Sequence, residues 1–351
     1  MKTRSLVPVS LVVCVLVFAA CGAAEPEPTA TPVPPPPTDT PVPALPTDTP
    51  EPPPPTPTPA PPTPTATPIP PTPTAEPILT GRIDVGGFHL YIDCIGDGSP
   101  TVVLDSGLGK DRHEWDEVLA LVNSDPPTRV CVYDRRGLGR SDILPREPRT
   151  TQVMVNELGA LLEAAHIPSP YILAGHSAAG LNAWLFASQY PDEVAGVIMV
   201  DSSHPDQTAR SHEAMEPFKE GEYSEIAQEL TAPRDPMGMP EYWDGETSYE
   251  EARAAGPFGE IPLVVLTRDT SNIEPQLAFL RKYYGPDLPA ELVEALENAL
   301  VPLQEELTEL STNSVHIIVE NSSHMIPLER PEAVVDAIRQ VMEMAETDAL
   351  E

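Results

Sequence analysis

Apolar residues follow two alternating patterns along the chain. Short unbroken apolar runs, such as TVVLD at 101–105 and YILAG at 171–175, are typical of strands buried on both faces of a sheet. Between such runs lie stretches with apolar residues three or four positions apart, as at 150–167, and these predict amphipathic helices. The alternation predicts an α/β fold over residues 78–351, with a mainly parallel sheet and helices on both faces.

Two regions interrupt this alternation. A long polar stretch covers about 204–259, and two further predicted helices fill about 275–310 before the last predicted strand. We expect both regions to be inserted cap elements above a pocket. Their Met, Tyr and Trp side chains could line that pocket or could pack the cap itself.

The first 21 residues have a different character. Lys2 and Arg4 precede an apolar run at 6–20 that is short for a membrane span, which indicates a secretory signal. Cys21 directly follows F-A-A and resembles the acylated cysteine of a bacterial lipobox; an ordinary signal peptide or an uncleaved anchor is the alternative. We therefore expect an exported protein, at the cell surface or outside the cell, that contacts a membrane only through a lipid on Cys21.

Residues 22–77 form a segment rich in proline and threonine. Of the 52 residues from Pro26 to Pro77, 25 are proline. Because proline fixes φ and removes a backbone donor, this composition predicts an extended polyproline-II spacer, with an upper reach on the order of 160 Å at ~3.1 Å per residue. A disordered tether of undefined length is compatible with the same composition.

Most of the net charge of −34 lies in the predicted folded part. The first 77 residues contain two basic and six acidic residues, which leaves a charge of −30 for 78–351. A charge of this sign and size argues against nucleic acid as a partner and against direct adsorption to an anionic membrane. The eight histidines show no H-x-x-x-H spacing, so the sequence implies no metal and no cofactor.

Ser177 lies where the apolar run YILAG meets a predicted helix, among small residues. Functional groups of parallel sheets lie at the carboxyl ends of strands. Small side chains at Gly175 and Ala179 would let the backbone bend sharply enough to hold the serine hydroxyl at the tip of the turn. The segment GHSAA resembles the nucleophile elbow, G-x-S-x-G, of the α/β-hydrolase family, with alanine in the last position. A serine that caps the following helix is the alternative.

Three other segments resemble the same family. SGLG at 106–109 occupies the place of its H-G-x loop, YDRRGLGRSD resembles its D-x-R-G-x-G-x-S loop, and NSSHMIPLERPE resembles its G-H-x-x-x-x-E-x-P segment. The resemblance implies an eight-stranded, mainly parallel sheet with a helical cap. It also implies an oxyanion hole formed by the backbone N–H groups of Leu108 and Ala178, and it implies His324 as the base. The residues expected to be scaffold in the second loop are Asp134, Arg136 and Ser141.

Two aspartates could supply the acid of a catalytic triad. Asp269 follows the strand PLVVLTR, whose loop most often carries the acid in this family, but the usual register places the acid two residues later, at Ser271. Asp201 directly follows the strand GVIMV, which is the register of haloalkane dehalogenases. We favour Asp201, keep Asp269 as the second candidate, and note that either could instead be a capping or loop residue. His176, next to the candidate nucleophile, is expected to serve packing or gating.

The resemblance implies a serine hydrolase that acts through an acyl-enzyme on carboxyl esters, or on related lactones or amides. Its partner would be a small-molecule ester-type substrate. A serine rather than an aspartate at the elbow argues against epoxide hydrolase and dehalogenase chemistry. Two alternatives remain open: a surface-displayed binding module without turnover, and cofactor-free chemistry of the haloperoxidase type on the same triad.

The family resemblance also concerns Cys94 and Cys131, the two cysteines of the predicted folded part. In the family's strand order, 1-2-4-3-5, their strands are neighbours, which allows a disulfide between them. An exported protein can form such a bond. Two buried free thiols are the alternative, and we favour the disulfide.

Overall fold

The computed structural model describes residues 77–122, 128–232 and 234–348. The predicted signal with Cys21, and the predicted spacer up to residue 76, lie outside the described residues. Within the described ranges, no helix combines the length and the apolar character needed to cross a membrane.

The described residues include eight strands that form one sheet, in the order β1-β2-β4-β3-β5-β6-β7-β8. The strands are β1 (Pro77–Asp84), β2 (His89–Ile95), β3 (Thr101–Asp105), β4 (Arg129–Asp134), β5 (Tyr171–His176), β6 (Val194–Val200), β7 (Leu263–Arg268) and β8 (Ser314–Val319). β2 runs antiparallel to β1 and β4, and the other neighbouring pairs are parallel. The prediction of an eight-stranded, mainly parallel sheet is confirmed.

Ten α-helices accompany the sheet in the part of the chain that the structure describes. They are α1 (Asp116–Leu121), α2 (Thr151–Ala164), α3 (Ala179–Gln189), α4 (Gln207–Met215), α5 (Ser224–Leu230), α6 (Gly245–Ala255), α7 (Glu274–Tyr284), α8 (Ala290–Glu306), α9 (Ile326–Glu329) and α10 (Pro331–Asp348). Short 3₁₀ turns include Arg112–Trp115 before α1 and Pro240–Tyr242 before α6.

The central strands are buried on both faces because their apolar runs are unbroken. In β3, Val102 and Leu104 belong to an apolar cluster with side chains of α1 and α10, whereas Val103 belongs to a second cluster with side chains of α2 and α3. This division follows from the two-residue period of a strand, which sends successive side chains to opposite faces. The sheet is therefore covered by helices on both faces, as the sequence predicts.

Cys94 in β2 lies opposite Cys131 in β4 in the antiparallel register, and a disulfide joins them. Both residues are almost fully buried. The predicted disulfide is confirmed. It fastens the antiparallel strand β2 to the parallel part of the sheet.

Two long segments leave the sheet beyond β6. The β6–β7 segment (201–262) carries α4, α5 and α6, and the β7–β8 segment (269–313) carries α7 and α8. The two segments share an apolar cluster of their own, separate from the two clusters on the sheet, whose buried members include Met215, Ala227, Leu277, Leu292 and Val293. They contain the two regions for which the sequence predicts a cap.

Candidate active site

Ser177 lies in a tight turn between the end of β5 and the start of α3. Its φ is +56°, in the left-handed region that a residue with a side chain rarely adopts. Its N–H donates to the carbonyl of Val200 at 3.0 Å. A Cβ on Gly175 would lie 2.4 Å from the carbonyl oxygen of Ala179, so the strand and the helix meet too closely for a larger residue there. The small residues around Ser177 thus permit the turn, as the sequence predicts.

His324 brings the β8–α9 loop to this turn. Its Nε2 lies 3.0 Å from Ser177 Oγ, and its Nδ1 lies 2.5 Å from Asp201 Oδ2. The backbone N–H of His324 donates to Gln276 Oε1 of α7 at 2.9 Å, which fixes the loop from the other side. Because a carboxylate only accepts hydrogen bonds, Nδ1 carries the proton and Nε2 presents its lone pair to the serine hydroxyl.

Asp201 directly follows β6 and also has a positive φ, of 41°. Its side chain is fully buried and accepts from Arg268 through the backbone N–H (3.2 Å, to Oδ1) and through Nη1 (2.6 Å, to Oδ2). Asp269, the second candidate, accepts instead from the N–H groups of Ser271 at 2.8 Å and Asn321 at 3.2 Å. The structure therefore brings Ser177, His324 and Asp201 together and gives Asp269 a role in fastening loops.

The charges around this group favour an ionised Asp201 and a neutral His324. Burial opposes ionisation of Asp201, but the charge of Arg268 and the hydrogen bond from His324 outweigh it and hold the pKa of that carboxyl well below its usual range. Removal from water lowers the pKa of His324; Asp201 opposes this shift, while the nearby His176 and Arg268 add to it. A neutral imidazole with its lone pair toward a hydroxyl can accept that hydroxyl's proton.

The loop after β3 lies directly against the serine turn. A Cβ on Gly107 would lie 2.9 Å from His176 Nδ1 and 3.5 Å from Ser177 Cβ. Among the described residues, neither the N–H of Leu108 nor that of Ala178 has an acceptor. Both N–H groups are therefore available to a ligand oxygen.

Arg135 is a central residue of the site that the sequence did not reveal. Its buried guanidinium donates to the carbonyls of Ser106 and Gly107, to Asp105 Oδ1 at 2.6 Å, and to both oxygens of Glu241 at 2.9 and 2.7 Å. One signal was present: Arg135 directly follows β4, at the edge of the sheet where functional groups collect. Its partner Glu241 carried no such signal.

The residues predicted to be scaffold occupy the same loop as Arg135. Asp134 is fully buried and accepts from the backbone N–H groups of Arg112 at 3.0 Å and Arg140 at 2.8 Å. Ser141 Oγ donates at 2.5 Å to the carbonyl of Asp134, and the Arg136 guanidinium lies 3.9 Å from the centre of the Phe88 ring. These contacts hold the loop and do not reach Ser177.

His176 connects the two sides of the site. Its Nδ1 lies 3.1 Å from Glu114 Oε1 and its Nε2 lies 2.8 Å from the carbonyl of His324. Glu114 also accepts from the N–H of Gly107 at 2.6 Å. Burial lowers the pKa of His176, but Glu114 outweighs it and the pKa lies above its usual value. His176 therefore links the Gly107 loop, through Glu114, to the His324 loop.

One group of described side chains, His204, Asp206 and Glu306, brings three potential metal ligands close together. His204 Nδ1 accepts from the N–H of Asp206 at 3.0 Å, so the proton is on Nε2, the nitrogen that faces Glu306 at 4.0 Å. The two carboxylates already pair with Arg253 and Arg210. This donor set does not fit a metal ion.

A cavity of about 780 Å³ lies within the β6–β7 segment. Its wall is mixed in character and includes Leu230, Arg234, Met239, Trp243, Tyr249 and Arg253. Met, Trp and Tyr side chains do line a cavity in this region, as the sequence allowed.

Known proteins are similar to parts of this chain. The model of a family described as "alpha/beta hydrolase fold" matches residues 100–272. An AB hydrolase superfamily protein of Gibberella zeae is 23% identical over 283 residues, 70% of this chain and 87% of that protein. The uncharacterized protein YqjL of Bacillus subtilis is 25% identical over 255 residues, 70% of this chain and 85% of that protein.

Other similarities are narrower or structural. The protein named "Probable transporter efuK", from Hormonema carpetanum, is 30% identical over 170 residues, which are 46% of this chain; the chain spans only 21% of that protein. The esterase EaEST of Exiguobacterium antarcticum superposes with a TM-score of 0.50 at 15% identity, over 75% of this chain and all of that one. At this identity the similarity shows the fold.

Proposed function

The chain belongs to the alpha/beta hydrolase fold family, and we propose that it is a serine hydrolase of carboxyl esters. The observation that carries the proposal is the unbroken contact from Ser177 Oγ to His324 Nε2 and from His324 Nδ1 to Asp201 Oδ2, at 3.0 and 2.5 Å. A nucleophile, a base within hydrogen-bond reach and a third group that orients the base are the parts that acyl transfer needs.

The proposed reaction has two stages. Ser177 Oγ attacks the ester carbonyl carbon while His324 Nε2 takes the hydroxyl proton, and the ester C–O bond breaks as that proton passes to the leaving alkoxide. Water then attacks the acyl-serine with its proton going to His324, and Ser177 leaves with the proton restored. Asp201 holds the ring and stabilises its positive charge in both stages.

The developing oxyanion would be bound by the N–H groups of Leu108 and Ala178. Support comes from three facts: Ala178 directly follows Ser177, the neighbouring Gly107 approaches Ser177 closely, and neither N–H has an acceptor in the described part of the chain. Preorganised donors of this kind stabilise the charge that forms in the transition state.

Esters are the proposed substrate class because an ester lacks the resonance that stabilises the carbon–nitrogen bond of an amide, so the serine attacks its carbonyl carbon more readily. Lactones contain the same ester bond. The cavity of about 780 Å³ in the β6–β7 segment is a candidate site only for a part of the substrate remote from the reacting carbonyl, because neither Ser177 nor His324 lines it.

We also propose that the hydrolase is exported and anchored by a lipid on Cys21. A disulfide between Cys94 and Cys131 suits an oxidising compartment. Metabolic labelling with a radioactive fatty acid should mark the full chain and should fail to mark Cys21→Ala; equal labelling of both would rule out this anchor.

A fluorophosphonate probe tests the catalytic proposal, because it reacts covalently with an activated serine. The wild-type domain should be labelled, Ser177→Ala should not, and the matched control Ser224→Ala, at the start of α5, should label as the wild type does. Labelled protein should also lose the ability to release p-nitrophenol from acyl esters. An unlabelled wild type would favour a binding module and overturn the proposal.

A further inference from the structure

We propose that Arg268 and Glu297 are positioning residues with opposite effects on His324. Arg268 competes with the histidine for Asp201, and Glu297 offsets the positive charge of Arg268. The inference rests on the proposed function, since it concerns the base of the proposed triad. Through Glu297, helix α8 would affect how readily His324 is protonated.

The competition takes place at one oxygen atom. Asp201 Oδ2 accepts from His324 Nδ1 at 2.5 Å and from Arg268 Nη1 at 2.6 Å. A full positive charge on the second donor weakens the attraction of this oxygen for the proton of the first. Arg268 therefore reduces the support that Asp201 gives to a protonated His324.

Glu297 neutralises Arg268 from the opposite side. Its two oxygens accept from Arg268 Nε at 2.6 Å and from Nη2 at 3.0 Å, a bidentate pair. The three side chains are at most 8% exposed, so little solvent screens them. When Glu297 is ionised, Asp201, Arg268 and Glu297 together carry one net negative charge. This charge stabilises a protonated His324.

Packing fixes Glu297 in this position. The neighbouring residues Val293 and Leu296 of α8 lie in the apolar cluster shared with Met215 of α4. The helix thus presents Glu297 from a rigid element, and the carboxylate of Glu297 meets the only arginine among the described residues that touches Asp201.

The charged groups around His324 come from several elements. They are Asp201 after β6, Arg268 at the end of β7, Glu297 on α8, His176 at the end of β5 with its partner Glu114, and Glu329 of α9, which holds the adjacent Ser323. From α7, Gln276 and Phe279 contribute no charge. His176, Glu114 and Glu329 are unchanged in the variants below, so a difference between those variants isolates Arg268 and Glu297.

The test is the pH dependence of fluorophosphonate labelling in the full chain, whose acid-side midpoint reports protonation of the free base. The variants are Arg268→Gln, Glu297→Gln and the control Glu294→Gln, an exposed glutamate on the same helix. We expect the midpoint to move up by at least about half a pH unit in Arg268→Gln and down by at least about half a unit in Glu297→Gln. At a pH below the midpoint, half a unit is roughly a threefold change in rate. Glu294→Gln should not move it.

Arg268→Gln leaves Glu297 buried without its partner, which destabilises the fold. A double variant is included for this reason. In Arg268→Gln/Glu297→Gln both buried charges are gone, and the midpoint should lie between that of the wild type and that of Arg268→Gln. Glu297→Gln and the double variant therefore still give shifts of opposite sign. Shifts of the same sign, or none beyond that of Glu294→Gln, would overturn the inference.

A second readout separates this inference from the proposed function. In chain labelled with ¹³C-histidine, the ring signal of His324 reports its protonation by NMR whether or not the serine reacts. If the wild type is not labelled by the probe, the proposed function fails, and the NMR midpoints of the same variants still decide whether Arg268 and Glu297 act in opposition.

Discussion

Two buried arginines flank the serine turn, Arg135 on the side of the β3 loop and Arg268 on the side of His324. Each lies between an aspartate at the carboxyl end of a sheet strand and a glutamate from one of the two segments beyond β6. The two sets are Asp105–Arg135–Glu241 and Asp201–Arg268–Glu297. Each set consists of one arginine and two carboxyl side chains that are almost excluded from water, which costs less free energy when every group is paired and hydrogen-bonded.

The sets differ in what else they touch. Arg135 gives its remaining donors to the carbonyls of Ser106 and Gly107, and the second oxygen of Asp105 accepts from Asn182 at 2.8 Å. None of these partners titrates near neutral pH. Arg268, by contrast, shares an aspartate oxygen with His324. The Arg135 set therefore holds the loop after β3 in place, whereas the Arg268 set affects the protonation of His324.

Strained backbone also occurs on both sides of the serine turn. On the His324 side the strained residues are Asp201, with a φ of 41°, and Asn321 in the β8–α9 loop, with a φ of 53°. On the loop side two consecutive residues of the β6–β7 segment, Glu241 and Tyr242, have φ values of 56° and 52°. Left-handed backbone at residues other than glycine is unfavourable and persists only where surrounding contacts hold it. The buried pairs of Glu241 with Arg135 and of Asp201 with Arg268 are such contacts.

The largest expected effect comes from Asp201→Asn. The amide carries no charge, so a protonated His324 would face the cation Arg268 without the counter-charge of Asp201. We expect kcat for ester hydrolysis to fall about 10³–10⁴-fold. The free energy of unfolding should also fall, by about 1–3 kcal/mol, because Arg268 loses a charged partner. Steady-state kinetics and urea unfolding measure the two quantities.

Two matched aspartates sharpen that comparison. Asp105→Asn changes the equivalent residue of the Arg135 set and should cost about 1–3 kcal/mol of unfolding free energy while lowering kcat far less than Asp201→Asn does. Asp269→Asn should leave kcat near that of the wild type, because Asp269 accepts hydrogen bonds from Ser271 and from the N–H of Asn321 and not from His324. A collapse of kcat in Asp269→Asn would show that the acid has been misassigned.

Features that the sequence predicts are those encoded locally. An unbroken apolar run predicts a central strand, and GHSAA predicts the turn at Ser177, because strand burial and a tight turn depend on neighbouring residues. The contact of Asp201 with His324 was expected only as the favoured of two options. The pairs Arg135–Glu241 and Arg268–Asp201 join residues 106 and 67 positions apart. A charged residue in a polar stretch such as PEYWDGE gives no sign that it will be buried.

The next largest effect is expected for Glu241→Gln. The amide removes the charge that holds Arg135, and it weakens the acceptor for the N–H of Gly109, now 2.9 Å from Glu241 Oε2. A small displacement of the Leu108 N–H should lower kcat by about tenfold with KM nearly unchanged. The pH midpoint of labelling should stay at the wild-type value, in contrast to Glu297→Gln. If Glu241→Gln and Glu297→Gln moved the midpoint equally, the Arg135 set would act on His324 as the Arg268 set does, and the contrast between the two sets would be wrong.

The smallest expected effect concerns two histidines whose rings lie 4.8 Å apart, with pKa shifts of opposite sign. His324 has a lowered pKa, so the unfolded chain binds its proton more readily, and stability is lost as the pH falls below about 6.5. His176 has a raised pKa, so its contribution is complete below the unfolded value and is lost as the pH rises through the folded one. The two trends meet near neutrality, where stability should be greatest.

His176→Gln removes the second trend, and the destabilisation it causes, measured by urea unfolding at several pH values, should shrink as the pH rises. A penalty independent of pH would mean that the pKa of His176 is not raised in the folded chain.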